Sequence, residues 1–540
     1  MMRRFQPQNR LFFGPGAGFL LLFAGCASMP PGGERAGFME PPSMQRTLSM
    51  ASRQGAATSV NPWPEDEWWR QFDSPDLDHV MDMALNDNPG LKKAYARLGE
   101  ADAVAHVEGA KLLPWLDADA SAKQSRYAEH GVVASYNSAL AGAEKTAVFI
   151  NPLSFRYEFD FWGKNRATLE AALGERAAEE AEFAEVRLLL TTAIARSYIR
   201  GVALAQQFAL AQEMVELRRE LLHLAETRFH TGLDTDDAVK QAAVELETAN
   251  KREAGTRALL VLQQDLLARL MGEGPDATQN LFTGKTMIVP ARMPLPAHLP
   301  IELLAHRPDL ASAMHQAEAA AERIHVAKAQ FLPSFDLETA TAGLEASVFT
   351  KEVGLLPGLL FQGGALNYAI MPGVHLPLFE GGRLRGQLAA TRAKYDEAVD
   401  LYNETLLHAV QEVADSVTNW KETRAILEAH NRLLSSARGE LNLTHVRLRS
   451  GLNDRREVLT VQHALLDQQY AWNGLEADHL FAMVDLTQAL GGGYANGIDL
   501  PRPQLAPEEA LSGLATLTPA WSLETLAPAL LPLSRNGSAE

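Results

Sequence analysis

Two short clusters of charged residues are the best candidates in the sequence for ionic chemistry. The first follows Gly232 and Leu233 and contains Asp234, Asp236 and Asp237. The second follows Gly451 and Leu452 and contains Asn453, Asp454, Arg455, Arg456 and Glu457. An acidic cluster facing a partly basic one can form ion pairs, each weak when exposed to water. The same residues can also be solvated turns whose aspartates cap the next helix, so the spacing leaves both interpretations open.

Patterns for catalysis or metal binding are absent from the sequence. It contains no P-loop, no G-x-S-x-G and no H-E-x-x-H motif, and it has only one cysteine. His106 and His325 occupy matching positions in the repeat described below. Polar positions that face water or a neighbour explain these two histidines better than a metal or proton role. We therefore expect neither an enzyme nor a cofactor.

Cys26 is the one residue placed for covalent modification. Three arginines precede an apolar stretch, 11–25, which is too short to span a membrane and has the layout of a secretory signal. The stretch runs into L-L-F-A-G-C-A-S, which resembles a bacterial lipobox. We expect residues 1–25 to be a lipoprotein signal peptide and Cys26 to carry the lipid, with Ala27 favouring sorting to the outer membrane. The alternative is an ordinary signal peptide with an incidental cysteine.

The composition excludes several classes of protein. The chain has 540 residues and a formal net charge of −18. Binding of nucleic acid is disfavoured because phosphates require clustered lysine and arginine. No uninterrupted apolar run of membrane-spanning length follows the signal. Any crossing of a membrane by the mature chain must therefore use strands.

An internal repeat organises the rest of the chain. Pro89 and Pro308 lie 219 positions apart (308 − 89), and the same offset relates matching residues along the whole unit without a gap. The matching pairs include Pro114 and Pro333, Gly163 and Gly382, Arg166 and Arg385, Gly232 and Gly451, and Gly272 and Gly491. Chance matching in an Ala- and Leu-rich chain does not produce such pairs in one register. We infer a tandem duplication.

Each repeat begins with a helical stretch, 89–112 or 308–331, that a proline ends. A strand-like region follows, at about 114–162 and about 333–381. In its clearest segment apolar residues alternate with polar ones: Leu153, Phe155, Tyr157, Phe159 and Phe161 against Ser154, Arg156, Glu158 and Asp160. In the second repeat, Leu366, Tyr368, Ile370, Val374, Leu376 and Leu378 oppose Asn367 and His375. This alternation is typical of a membrane strand and equally of a half-buried strand in a soluble sheet.

Long helical hairpins complete each repeat. Residues 164–230 contain no proline and predict a helix on the order of 100 Å long. Its apolar residues recur at the spacing of a coiled-coil seam: Leu210, Met214, Leu217, Leu221 and Leu224. A glycine turn then leads into a returning helix, as expected where a helix ends with positive φ. The predicted long hairpins are 163–271 and 382–490.

Several motifs resemble the TolC-like outer-membrane factors, in particular the NodT and fusaric-acid-resistance-type efflux lipoproteins. The motifs are Y-E-F-D-F-W-G-K-N-R at 157–166, L-L-A-H-R-P-D-L at 303–310 and H-L-P-L-F-E-G-G-R-L-R at 375–385. The resemblance covers roughly residues 61–492.

The resemblance implies a fold that is mostly α with membrane β. Each protomer of a homotrimer would give four strands to a twelve-stranded outer-membrane barrel, continuous with a long α-helical periplasmic tunnel. Residues 272–300 and about 61–88 would form an equatorial belt around the tunnel. The expected domains are a flexible N-terminal linker (26–60), the first repeat (61–272), an equatorial linker (273–300), the second repeat (301–492) and a flexible Pro-rich tail (493–540).

The implied function is that of an outer-membrane channel subunit in a tripartite efflux system, lipid-anchored in the bacterial outer membrane and extending into the periplasm. It would be a passive exit duct for small molecules such as drugs and toxic aromatic compounds. Its partners would be a periplasmic adaptor protein, outer-membrane lipid, and an inner-membrane pump of the resistance–nodulation–division or major-facilitator type. The alternatives are the duct of a type I protein secretion system and a non-conducting structural coiled-coil lipoprotein of the periplasm.

The two charged clusters acquire a role from the same resemblance. They would lie at the periplasmic mouth and hold it closed as a gate. Docking of the adaptor would then involve the turn residues Gly232, Leu233, Gly451 and Leu452.

Overall fold

The structure is a computed structural model. It describes residues 29–33, 35–43, 63–282, 284–286, 289–290, 305–349, 355–361 and 363–494. The predictions for the signal peptide, for Cys26 and for the C-terminal tail beyond residue 494 lie outside the described residues.

Among the described residues, the two repeats contain the same elements in the same order, apart from one additional helix at the start of the first. The first contains helices α1 (Pro75–Asp87) and α2 (Pro89–Ala110), strand β1 (Trp115–Arg126), the short helix α3 (Val132–Tyr136), strand β2 (Glu144–Phe159), and helices α4 (Lys164–His230) and α5 (Asp236–Met271). The second contains α6 (Pro308–Ala329), β3 (Ser334–Phe349), the short helix α7 (Leu356–Leu360), β4 (Leu366–His375), α8 (Arg383–Arg449) and α9 (Arg455–Ala489).

The duplication is confirmed in three dimensions. Helices α2 and α6 begin and end 219 positions apart, and so do α4 and α8, each 67 residues long. The paired turn glycines share positive φ values, for example 74° at Gly232 and 71° at Gly451. Positive φ is the backbone state that glycine adopts without a steric cost, so the glycine pairs mark equivalent helix ends.

The long helices form one layer. Helix α4 packs on α2 and α6 along one part of its length and on α5 and α9 along another, while α8 packs on α6 and α9. One window of α4 is long and apolar enough to cross a membrane by composition, but 72% of that window is buried inside the protein. Its apolar character is therefore that of a core helix.

The predicted coiled-coil seam of α4 joins the two hairpins. Met214, Leu217 and Leu221 are buried together with Leu459 and Leu466 of α9. The seam therefore packs against the returning helix of the second hairpin, a partner that spacing alone does not identify.

The two segments expected to form an equatorial belt meet on the middle of α4. Phe282 is buried against Gly201, where a Cβ atom would collide with the phenylalanine ring. Lys285 Nζ lies 2.6 Å from a carboxylate oxygen of Asp76, which links the two segments. Tyr198 of α4 contacts both, through its ring against Phe282 and its hydroxyl against Ser74.

Residues 35–39, within the segment expected to be a flexible N-terminal linker, lie along α8. Arg35 pairs with Asp396 at 2.8 Å, and the backbone N–H of Met39 donates to Asn403 at 2.7 Å. The ring of Phe38 packs edge-on against Tyr402. An ion pair, backbone hydrogen bonds and one aromatic contact hold this segment along the helix.

The four strands form one antiparallel sheet in the order β1-β2-β3-β4. Strands β1 and β4 are therefore the two edges of the described sheet. Register shifts interrupt the β1–β2 and β2–β3 pairings, including one between Ile150 and Leu153 of β2. Such bulges change which sequence positions share a face.

Candidate functional site

Both hairpin turns end their first helix in the same hydrogen-bonded motif. The backbone N–H of Leu233 donates to Arg228 O at 2.8 Å, and that of Leu452 donates to Arg447 O at 2.9 Å. This pattern satisfies carbonyl groups that the helix end leaves free. The side chains of Leu233 and Leu452 project outward, 67% and 75% exposed. Each hairpin tip thus presents an exposed leucine to its surroundings.

The acidic residues of the first turn are held within their own hairpin. Asp234 accepts hydrogen bonds from the Thr235 backbone N–H at 3.0 Å and from Arg228 at 3.2 Å. These two bonds lower the pKa of the Asp234 carboxyl below its ordinary value. Asp236 pairs with Lys240. Asp236 and Asp237 also lie in the first turn of α5, where the helix dipole favours negative charge.

The second turn reaches across to the other hairpin. Arg455 donates to Glu220 Oε1 of α4 from two nitrogens, at 2.7 and 3.0 Å. Asp454 caps α9 by accepting from the Glu457 backbone N–H at 3.0 Å. Arg456 Nε lies 4.0 Å from Asp454 in its own turn.

These contacts alter the expected pairing of the two clusters. Among the described residues of one protomer, the ion pair between the hairpin ends is Arg455 with Glu220, rather than an arginine with an aspartate of the first turn. Glu220 was not predicted because it lies within α4, before the turn, and only the packing of α9 on α4 reveals it. Arg456 still acts on Asp234 at a distance and lowers its pKa. The assignment of these residues to a gate stays a prediction.

A second polar network, the hairpin brace, also joins the hairpins. Its members are Arg218 of α4, Glu245 and Arg252 of α5, and His463 and Asp467 of α9. Arg218 pairs with Glu245, and Arg252 pairs with Asp467. Nδ1 of His463 lies 3.4 Å from a nitrogen of Arg218 and 3.1 Å from Asp467 Oδ2.

The hairpin brace is balanced in charge when His463 is neutral, because two arginines then face two carboxylates. Burial and the charge of Arg218 lower the pKa of His463 below its ordinary value. A proton on His463 would add a third positive charge to a half-buried site.

One face of the sheet is apolar and the opposite face is polar. Leu344 is paired with both Ile150 and Leu366, and Ala342 with both Leu153 and Tyr368, so these residues share one face. Tyr368 is 75% exposed there. The opposite face holds hydrogen-bonded polar pairs: Arg156 with Asp117, Asn151 with Asp119, and Asn367 with Glu345. An exposed apolar face needs a lipid or protein partner, which disfavours the half-buried soluble sheet.

Within the ranges that the structure describes, no group of three or more His, Cys, Asp or Glu residues is placed to hold a metal ion. His106 contacts Asp102 and His325 contacts Glu322, each on its own helix.

The comparisons with known proteins agree with this architecture. The family model for outer membrane efflux proteins matches residues 80–273 and 299–492, one match in each repeat. The pyoverdine export outer membrane protein OpmQ of Pseudomonas putida is 29% identical over 464 residues, which cover 84% of this chain and 94% of that protein. The fusaric acid resistance protein FusA of Burkholderia cepacia is 28% identical, covering 92% of this chain and 91% of that protein.

A solved structure supports the same conclusion. The outer membrane protein VceC of Vibrio cholerae is 33% identical, with a TM-score of 0.69, and the match covers 80% of this chain and 100% of that one. The predicted fold class, mostly helical with a membrane sheet and an internal duplication, is confirmed. The chain belongs to the outer membrane efflux protein family, and its place is the outer membrane.

Proposed function

We propose that three copies of this chain form a passive exit duct for small molecules and complete a tripartite efflux system. The observation that carries the proposal is the four-stranded sheet, which combines two unpaired edges with an exposed apolar face. Lipid does not tolerate open sheet edges, so the sheet must close with other copies. Two copies would give eight strands, a barrel filled by its own side chains, whereas twelve strands leave room for a watery lumen.

The helix layer supports the same closure. Helix α5 lies at one side of the layer and α8 at the other, and both carry exposed apolar residues. Leu259 lies 23 residues from the tip end of α5 (259 − 236), and Ile426 lies 23 residues from the tip end of α8 (449 − 426). Both therefore lie about 35 Å from the tips, where they can meet between neighbouring copies in a ring.

The N-terminal segment supports the lipid anchor at Cys26. The carbonyl oxygen of Pro31 accepts from Arg392 at 3.1 Å, and Arg392 lies nine residues after the start of α8 (392 − 383). That distance is about 14 Å along the helix, and the four residue-to-residue steps from Cys26 to Pro30 can span about as far. The anchor can thus reach the level at which α8 meets the sheet, which is the membrane surface in this proposal.

The hairpin tips are the proposed periplasmic mouth. Arg455–Glu220 and the hairpin brace hold the second hairpin against the first and keep the mouth narrow. The exposed Leu233 and Leu452, beside the turn glycines, supply the docking surface for a periplasmic adaptor, which connects the duct to an inner-membrane pump. Energy comes from that pump, so the duct itself performs no enzymatic step. Proteins named for pyoverdine export and fusaric acid resistance are among the relatives, which supports small-molecule cargo.

Chemical cross-linking tests the proposed trimer. In the double variant Leu259→Cys/Ile426→Cys, a short bis-maleimide linker should join neighbouring copies and give a trimer band on denaturing gels. The matched control is Leu259→Cys/Leu401→Cys, because Leu401 lies 25 residues from Ile426 along α8 (426 − 401), on the order of 38 Å away. Cross-linking that stops at dimers, or that is equal in the two variants, would contradict the proposed ring.

A further inference from the structure

The short helix α7 connects β3 to β4 and lies on the apolar face of the sheet. Leu356 and Leu360 are buried against Ala346 and Val348, with Leu344, Val148 and Ile150 packed around them. Leu344 is paired with Leu366, and Ala342 with Tyr368, so α7 shares its face with the exposed strand residues. The polar pairs, such as Asn367 with Glu345, lie on the opposite face.

The outward side of α7 is also apolar. Residues 355–361 read L-L-P-G-L-L-F and contain no charged or hydrogen-bonding side chain. Leu355 and Phe361 are 58% and 78% exposed, and Leu359 is 37% exposed. A connection between strands that faced water would be expected to carry polar turn residues. This segment instead adds large apolar side chains over a face that is itself apolar.

The position of α7 along the strands places it at the outer edge of the membrane. An aromatic cluster of Phe159, Phe161 and Phe335 lies at the end of the sheet nearest the helices, as expected for a membrane interface. From Phe335 to Ala346, against which α7 is buried, is eleven residues, about 36 Å along a strand. With a strand tilt of about 40°, the rise is about 28 Å, which places α7 at the outer boundary of the apolar band of about 25 Å expected for such a barrel.

We infer that α7 is a lipid-contacting collar on the outside of the barrel, with Leu355, Leu359 and Phe361 lying among the acyl chains near the outer headgroup boundary. The inference rests on the proposed barrel and adds a contact that the barrel does not require. The continuity of α7 with the apolar strand face identifies acyl chains as its partner. Moving the large apolar ring of Phe361 from water into the acyl-chain region lowers its free energy.

Fluorescence quenching in lipid nanodiscs tests the inference. Leu359→Cys is labelled with an environment-sensitive maleimide dye, and the unsubstituted chain serves as the labelling blank because its sole cysteine is Cys26. We expect a lipid with a nitroxide at carbon 5 of its acyl chain to quench the label more strongly than one with a nitroxide at carbon 12. Aqueous iodide should have little effect.

Two matched labels make the outcomes distinct. Ile370→Cys, on the apolar face within the strand, should be quenched by the lipids, and Asn367→Cys, on the polar face, by iodide. If Ile370→Cys responds to lipid but Leu359→Cys responds only to iodide, or to neither quencher, the collar is refuted while the barrel stands. If Ile370→Cys also fails to respond to lipid, the proposed barrel fails together with the collar.

Discussion

Arg307 and Asn88 occupy equivalent positions in the two repeats and form equivalent hydrogen bonds. Asn88 Nδ2 donates to Leu270 O at 2.8 Å, and Arg307 Nη1 donates to Ala489 O at 2.9 Å. The first bond joins the start of α2 to the end of α5, and the second joins the start of α6 to the end of α9. The arginine also pairs with Asp309 and Glu412, at 2.6 and 2.7 Å. The arginine and aspartate of the H-R-P-D-L motif thus form, with Glu412, an ion cluster around one buried guanidinium.

Glu185 interacts electrostatically with the charges of this cluster. Burial and the carboxylate of Asp309 raise the pKa of Glu185 to about 7, although Arg307 opposes the shift. Because the folded pKa lies above the ordinary value, the contribution of Glu185 to stability is present at acid pH and is lost as pH rises through about 7.

At Gly201 the structure predicts that an alanine substitution lowers stability, whereas helix propensity alone predicts that it raises stability. Gly201→Ala should destabilise the protein by about 1–3 kcal/mol, because the new Cβ would collide with the ring of Phe282. Thermal unfolding in detergent measures this change. The matched control is Gly255→Ala in α5, where the space around a Cβ is open, and there propensity should add up to about 1 kcal/mol. Equal effects at the two sites would contradict the packing of Phe282.

At the scale of elements, the ion pair between Arg455 and Glu220 makes the proposed gate testable. Arg456→Glu should raise single-channel conductance, because Arg456 belongs to the charged cluster of the candidate gate. The structure predicts a larger, several-fold rise for Arg455→Glu, because Arg455 contacts the opposite hairpin. The swap Arg455→Glu/Glu220→Arg should restore the low conductance of the parent chain. A swap that stays as conductive as the single variant would count against this pair as a restraint.

The hairpin brace predicts an acid response. The pKa of His463 is lowered where the brace is intact, so that arrangement binds fewer protons than one in which the brace is broken. The intact brace therefore loses stability as pH falls through the ordinary value of 6.5 for histidine, and, if the brace narrows the mouth as proposed, conductance should rise between pH 7.5 and 5.5. His463→Gln should weaken that rise.

The control for this response is His479→Gln. His479 also has a lowered pKa but contacts Thr423 within its own hairpin. An acid response that survives in the His463 variant, or disappears equally in the His479 variant, would show that the brace is not its source.

The sequence predicts the repeated elements well because their signals are local. Proline stops, glycine turns and uninterrupted helical stretches are written in short segments, and the glycine pairs have the positive φ that their positions require. The alternation of Leu153, Phe155 and Tyr157 likewise identifies the apolar face of β2. The bulge between Ile150 and Leu153 shifts that alternation, so sequence spacing alone does not join Val148 and Ile150 to the same face.

Long-range partners are what sequence spacing could not supply. Glu220 as the partner of Arg455, α9 as the partner of the α4 seam, and α8 as the support of residues 35–39 all depend on how the hairpins pack. The turn positions predict the charged residues of the candidate gate, but they do not predict how those residues pair. Ion pairs between distant segments leave no periodic trace in a sequence.

For the whole molecule, the described part of one protomer presents three kinds of surface without a partner: the two sheet edges, the apolar sheet face, and the exposed apolar sides of α5 and α8. Closure into a ring of three would satisfy the edges and the helix sides, and lipid would satisfy the face. The proposed gate would then depend on the assembly, because three copies of each tip charge would surround one opening.

Single-channel recording in planar lipid bilayers tests the central claim most directly. The purified parent chain should insert as a unit and give small, uniform conductance steps, and Arg455→Glu should give the same frequency of insertion with larger steps. Insertion without any ion conductance in both proteins would contradict a duct and favour a structural role for the long hairpins.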